Sequence, residues 1–215
     1  MNILEIYKKY QIMPQLAEHQ FKVAAVAEII LNHSSLILDR DDIVAACLLH
    51  DMGNIVKFDF NQSKEMALGL IDLSSLKYWE KVKREFLSKY GSGSHNVTMR
   101  IIDELQVSKR IRELVNCVGF EQAPENAKTS DFGKKICAYA DMRVMPLGVG
   151  SLEDRMADLR VRYKNHPEGA NNREVFEVAL RKIEKQIFEH CGIAPSDISG
   201  GVVAGRIEKL KSFEI

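Results

Sequence analysis

The stretch AACLLHDMGN, residues 45–54, decides how the chain is read. Five small or apolar residues suited to a buried helix run straight into a histidine and an aspartate, His50 and Asp51. At helical spacing Ile43, Cys47 and His50 form one series, while Val44, Leu48 and Asp51 form the adjacent one, about 100° around the axis. Both polar side chains therefore border the apolar side of the helix. A carboxylate in that position is costly unless it is paired, hydrogen-bonded or bound to a cation.

Two other helical patterns repeat the anomaly. His19, Val23, Val26 and Ile30 recur at i, i+4, i+7 and i+11, so His19 shares a core-facing stripe. In GKKICAYADMRV, residues 133–144, Asp141 follows Cys137 by one turn within a strongly apolar segment. Taken singly, each has a bland reading: His19 as a satisfied core histidine, the HD pair as a chance dipeptide, Asp141 as a partner of Arg143 or of a helix terminus. Taken together they invite one explanation, a shared divalent ion. Two imidazoles and two carboxylates make a mixed nitrogen and oxygen set that suits Mn, Fe, Co, Ni or Zn better than Ca. Such a set also leaves positions for water or substrate.

Around these segments the periodicity is helical and strand signals are scarce, which predicts an all-α fold. Helices are expected roughly over 2–10, 14–33, 40–51, 63–72, 74–90, 94–105, 108–118, 130–144, 151–165, 171–191 and 195–211. Pro14 suits a first helical turn, Asp39 or Asp41 a cap, and Ser108, Ser130 and Ser151 N-caps. YGSGS, GFEQAPENAKTS and MPLGVGS read as loops. The length fits a single domain over 1–215, with a core at about 14–145 and C-terminal helices over 151–215 packed on it.

Thirty basic and thirty acidic residues cancel. Neither a nucleic-acid polymer nor a membrane surface is therefore expected as a partner, and any steering of phosphate must be local. The first twenty residues lack the organisation of a signal peptide, and no window offers about 18 uninterrupted apolar residues, so a cytoplasmic protein is expected. Cys47, Cys117, Cys137 and Cys191 form no CxxC pair and read as buried reduced thiols. The sequence leaves the oligomeric state open, a homo-oligomer included.

QLAEHQFKVAAVAEII, then LLHDMGN, then AYADMRV, in that order with helical insertions between them, resemble the H…HD…D signature of the HD-domain metal-dependent phosphohydrolases. The resemblance covers about residues 14–145. It implies a compact helical bundle in which His19, His50, Asp51 and Asp141 hold one divalent ion: Mn, Co, Ni, Fe, Zn or Mg. It also implies hydrolysis of a small-molecule phosphate ester, a nucleotide or related metabolite, by a metal-activated water. The AEH at 17–19 is similar to the mononuclear nucleotidase-like branch, and HDMG to the HDIG branch. Those branches place an acidic residue or a lysine three positions after the HD aspartate; this chain has Asn54. Binuclear members add histidines between the HD pair and the last aspartate, and here His95 alone stands in that interval.

Beside the catalytic Asp51, His95 is a candidate second-sphere acid, with a ligand to a second ion and a surface histidine near a helix start as its other readings. Glu18, next to His19, is a candidate general acid or base. Lys57, Arg143, Arg155 and Arg162 are candidate phosphate contacts, with the Asn54 amide beside them. For Arg155 and Arg162 the bland alternative is a solvated face of Asp/Glu to Arg pairs. His33, His166 and His190 read as structural or surface residues. YGSGSHN lacks the preceding strand and the Lys-Ser/Thr of a P-loop. A regulatory module that binds metal and nucleotide without turnover is the alternative function. Metal-dependent oxygenase chemistry is a third, against which the shortage of histidines argues.

Overall fold

The computed structural model describes residues 1–60, 73–162 and 169–215, and its architecture is all-α. Among the described residues the helices are α1 (Ile3–Lys9), α2 (Pro14–His33), α3 (Arg40–Leu49), α4 (Leu76–Tyr90), α5 (Ser94–Leu105), α6 (Lys109–Asn116), α7 (Ala123–Lys128), α8 (Phe132–Met142), α9 (Leu152–Arg162), α10 (Gly169–Phe188) and α11 (Gly200–Leu210). The helix expected over 63–72 lies outside the described residues. No helix among those described is long and apolar enough to cross a membrane.

Local chemistry sets most boundaries. Asn2 opens α1 with a capping box, its side chain accepting from the Leu4 N–H while Glu5 reaches back to the Asn2 N–H. Pro14 occupies the first turn of α2, where its missing N–H costs nothing. Ser108 caps α6 by accepting from the Ile111 N–H, and Ser151 caps α9 by accepting from the Asp154 N–H. The cap of α8 is Asp131 and not Ser130, because the Asp131 carboxylate accepts from the Lys134 N–H.

Three departures from the expected pattern have physical causes. Part of the loop expected over 119–130 is helical. Pro124 sits in the first turn of α7, Asn126 is buried and bonds the Cys117 carbonyl, and the short helix is held by packing against α10. At the end of the helix expected over 130–144 and within the loop expected over 145–151, Val144–Met145 and Gly148–Val149 pair as a two-stranded antiparallel hairpin, the one sheet among the described residues. The helix expected over 195–211 is broken into a 3-10 turn, Pro195–Asp197, and α11, with Ser199 at the break.

The core is built around three mutually packed helices, α2, α3 and α8. Val23, Val26 and Ile30 of α2, Ile43, Cys47 and Leu48 of α3, and Ile136, Cys137 and Ala140 of α8 are all buried. α11 lies on α2, α6 on α3, and α10 on both α7 and α8, so the C-terminal helices cover the same core. The HD turn is seated from the other side by α4 and α5, which pack against the 3-10 turn Asn54–Lys57.

Candidate metal centre

The three central helices each bring polar side chains to one place. His19 comes from the second turn of α2, His50 and Asp51 from the residues just beyond α3, and Asp141 from the last turn of α8. His19 Nε2 lies 3.1 Å from Asp141 Oδ1 and 3.6 Å from Asp51 Oδ2. His50 Nε2 lies 3.4 Å from Asp141 Oδ1 and 3.7 Å from Asp51 Oδ2. Ligand atoms of His19, His50 and Asp141 all fall within 4.8 Å of one another, and Asp51 adjoins both imidazoles. The His50 side chain is 1% exposed and the other three are about 20% exposed, so the cluster has a buried floor and a partly exposed rim.

The end of α3 is fixed by side chains from its neighbours. A helix leaves its last carbonyls without intrahelical partners. Here the Leu48 carbonyl accepts from Tyr7 Oη at 2.6 Å, and the Cys47 carbonyl pairs with His50 Nδ1 at 2.8 Å. The next donors are also taken: the Asp51 N–H by Gln20 Oε1 at 3.2 Å, and the Gly53 N–H by Thr98 Oγ1 at 2.9 Å. Gly53 must be glycine, since a Cβ there would stand 2.6 Å from the Ser94 carbonyl oxygen and the Thr98 nitrogen.

These contacts define the chemistry on offer. A backbone carbonyl accepts only, so Nδ1 of His50 carries the proton and a neutral ring turns its Nε2 lone pair toward the carboxylates. That buried nitrogen has no hydrogen-bond partner. Lone pairs facing lone pairs repel unless a cation stands between them, and this donor set fits a divalent ion. Without metal a proton supplies the charge. Burial disfavours the charged His50 ring, but Asp51, Asp141 and the Cys47 carbonyl outweigh it and push its pKa up to about 9. For Asp141 burial likewise opposes ionisation, but the hydrogen bond to His19 and the adjacent His50 imidazole prevail, holding the carboxyl well below the usual range. One turn before Asp141, Cys137 donates to the Ile43 carbonyl at 3.8 Å, and the adjacent Cys47 together with burial raises its thiol pKa, as expected of an inert core cysteine.

The family model for the HD domain matches residues 16–142, more than half of the chain. The chain belongs to the HD-domain family. The matched span starts just before His19 and ends just after Asp141, so it contains the whole cluster. HD domains are generally metal-dependent phosphohydrolases that bind divalent metals. No curated protein and no solved structure matches the chain.

The other expected site residues lie differently in this HD domain. Asn54 is buried at the start of the 3-10 turn, and Lys57 is exposed at its end. Arg143 does not reach for phosphate. It is 3% exposed and donates through Nε to Gly150, through Nη1 to Tyr139 Oη and the Pro195 carbonyl, and through Nη2 to the Ile198 carbonyl. Arg155 pairs with Asp158 at 3.3 Å but is not on a solvated face, its side chain being 14% exposed with Nε buried and without a hydrogen bond, and the side chain of Arg162 lies outside the described residues. Glu18 is exposed and paired with Lys22 at 2.5 Å. His95 is exposed and bonds Asn116 Oδ1 at 3.1 Å, apart from the cluster. His33 bonds the Ile29 carbonyl and His190 packs its ring on Phe132, while His166 lies outside the described residues.

Gln20 and Thr98, which were not among the expected site residues, hold the Asp51 and Gly53 N–H groups. The signal for Gln20 was present: Gln20, Ala24, Ala27 and Leu31 form an apolar stripe interrupted by one polar residue, the same anomaly that exposed His19.

Proposed function

We propose that this chain is a metal-dependent phosphohydrolase acting on a small phosphate ester, a nucleotide or closely related metabolite. The observation that carries the proposal is the convergence of His19, His50 and Asp141 beside Asp51, with a buried His50 nitrogen that nothing else satisfies.

His19 Nε2, His50 Nε2 and one carboxylate oxygen each from Asp51 and Asp141 would hold the ion. A divalent ion held there lowers the pKa of water and polarises a phosphoryl oxygen. The protein does the remaining work. Cys47 fixes the His50 tautomer through its carbonyl, and Gln20 and Tyr7 keep the turn that carries His50 and Asp51 in place. Asp51, whose Oδ2 faces both imidazoles, is the carboxylate that would take a proton from water. Lys57 supplies positive charge on the exposed side of the HD turn, and Asn54 offers an uncharged amide where related branches carry charge. With Arg143 committed elsewhere, Lys57 is the expected cationic phosphate contact closest in sequence to His50 and Asp51.

The test is a screen of the purified protein with Mn, Co, Ni, Mg and Zn against nucleoside mono-, di- and triphosphates and cyclic nucleotides, after its bound metals have been quantified. The expected result is phosphate release that Asp51→Ala abolishes. One observation favours a second reading, a regulatory module without turnover: Glu18 and His95, the candidate proton donors, are both exposed and bonded elsewhere. Metal and nucleotide binding with no release under any ion would establish that reading instead.

A further inference from the structure

Gln20 is a fully buried polar residue that the proposed chemistry does not consume. It follows His19 on α2, and its Oε1 accepts the Asp51 N–H across the interface with α3. That bond fixes the orientation of the amide, because a flipped side chain would set one N–H against another. The amide nitrogen then points into the interior without a hydrogen-bond partner. An apolar side chain of similar volume would avoid that cost, so the retained amide oxygen calls for a reason.

The reason lies in which N–H is held. The Asp51 nitrogen belongs to the peptide that joins His50 to Asp51, immediately past the last residue of α3. The same turn of α2 thus provides one candidate ligand, His19, and the anchor for the peptide that carries two more. We infer that Gln20 is a positioning residue of the metal centre: its buried amide oxygen sets the His50–Asp51 peptide relative to His19. This inference rests on the metal-dependent reading above. Gln20 touches neither substrate nor ion and acts through the backbone of the HD pair.

Cobalt(II) binding to the full chain tests it, followed by visible absorption and titration calorimetry in the parent, Gln20→Met and Gln20→Glu. Methionine fills a similar volume without the acceptor, whereas glutamate restores an oxygen at the same reach. Gln20→Met is expected to weaken cobalt binding about 10- to 100-fold and to alter the cobalt spectrum, with far-ultraviolet circular dichroism unchanged. Gln20→Glu is expected to recover the parent spectrum. A methionine variant that binds as the parent does, or a glutamate variant as impaired as methionine, overturns the assignment. Should Gln20→Met not fold, hydrogen exchange at the Asp51 amide decides. Protection in both parent and Gln20→Glu, with matching cobalt spectra, supports the role, and an unprotected amide or an altered spectrum refutes it. A parent chain that binds no divalent ion removes the centre and this role together, which is distinct from a parent that binds and a methionine variant that binds equally well.

Discussion

The end of α8 carries two charged side chains with opposite surroundings. Asp141 faces two imidazoles, and one of their nitrogens, His50 Nε2, is buried without a hydrogen bond. Arg143, two residues on, spreads its guanidinium over Tyr139 Oη and the carbonyls of Gly150, Pro195 and Ile198, drawing the hairpin and the start of the C-terminal segment against α8. Tyr139 Oη in turn donates to Glu184 of α10 at 2.6 Å. The arginine region is complete in itself and therefore stabilises. The aspartate region is complete only with an added positive charge, which makes it a place that could hold a cation.

The sharpest way to break this contrast is to exchange its outcomes. His50→Ala should reduce phosphate release to background. It should also abolish the rise in Tm on adding metal, which in the parent corresponds to about 2.7 kcal/mol at a hundred times Kd. Thermal melts with and without manganese measure this.

Arg143→Met should do the reverse. The metal-induced increment is kept, while stability falls by about 3–4 kcal/mol, because several buried acceptors lose their donor at once. Denaturant titration measures it. An Arg143 variant that stays stable but loses activity would place this side chain with the substrate after all.

Gly53→Ala touches both regions of behaviour. The added methyl meets backbone atoms of α5, so about 1–3 kcal/mol of stability should be lost and metal binding should weaken in the same variant, read by calorimetry.

The smallest expected effect lies away from the site. Arg110 holds Asp131 bidentately at 2.6 and 2.8 Å and lowers its carboxyl pKa, with burial opposing. The folded value is below that of the unfolded chain, about 3.9, so this contribution is present at neutral pH and is lost as pH falls below that value and through the folded pKa. It amounts to about 1 kcal/mol for a partly exposed pair. Acid titration of stability in Asp131→Asn should show a shallower decline than in the parent.

How much the sequence revealed follows the same division. His19, His50, Asp51 and Asp141 were legible because each is a polar interruption of an apolar helical stripe, and that signal is local. The helical class and the extents of α2 and α5 were legible for the same reason. Arg143 was misread because its partners come from 150, 195 and 198, and a helix-end side chain gives no local sign of the direction it takes. The short helix α7 was missed because Pro124 and Asn126 read as loop residues, whereas packing on α10 keeps it helical. Glu18 and His95 were judged by their sequence neighbours, and their own salt bridge and hydrogen bond lie at the surface.

The cluster also has a kinetic meaning. His19 and Asp141 are 122 residues apart along the chain, so their meeting closes a long loop and requires α2, α3 and α8 to have docked. An ion that needs all of these donors gains its full affinity only late in folding, and it stabilises contacts absent from earlier species. Bound metal should therefore slow unfolding far more than it hastens folding. The lifetime of the folded state, and with it resistance to proteolysis, becomes tied to the supply of metal.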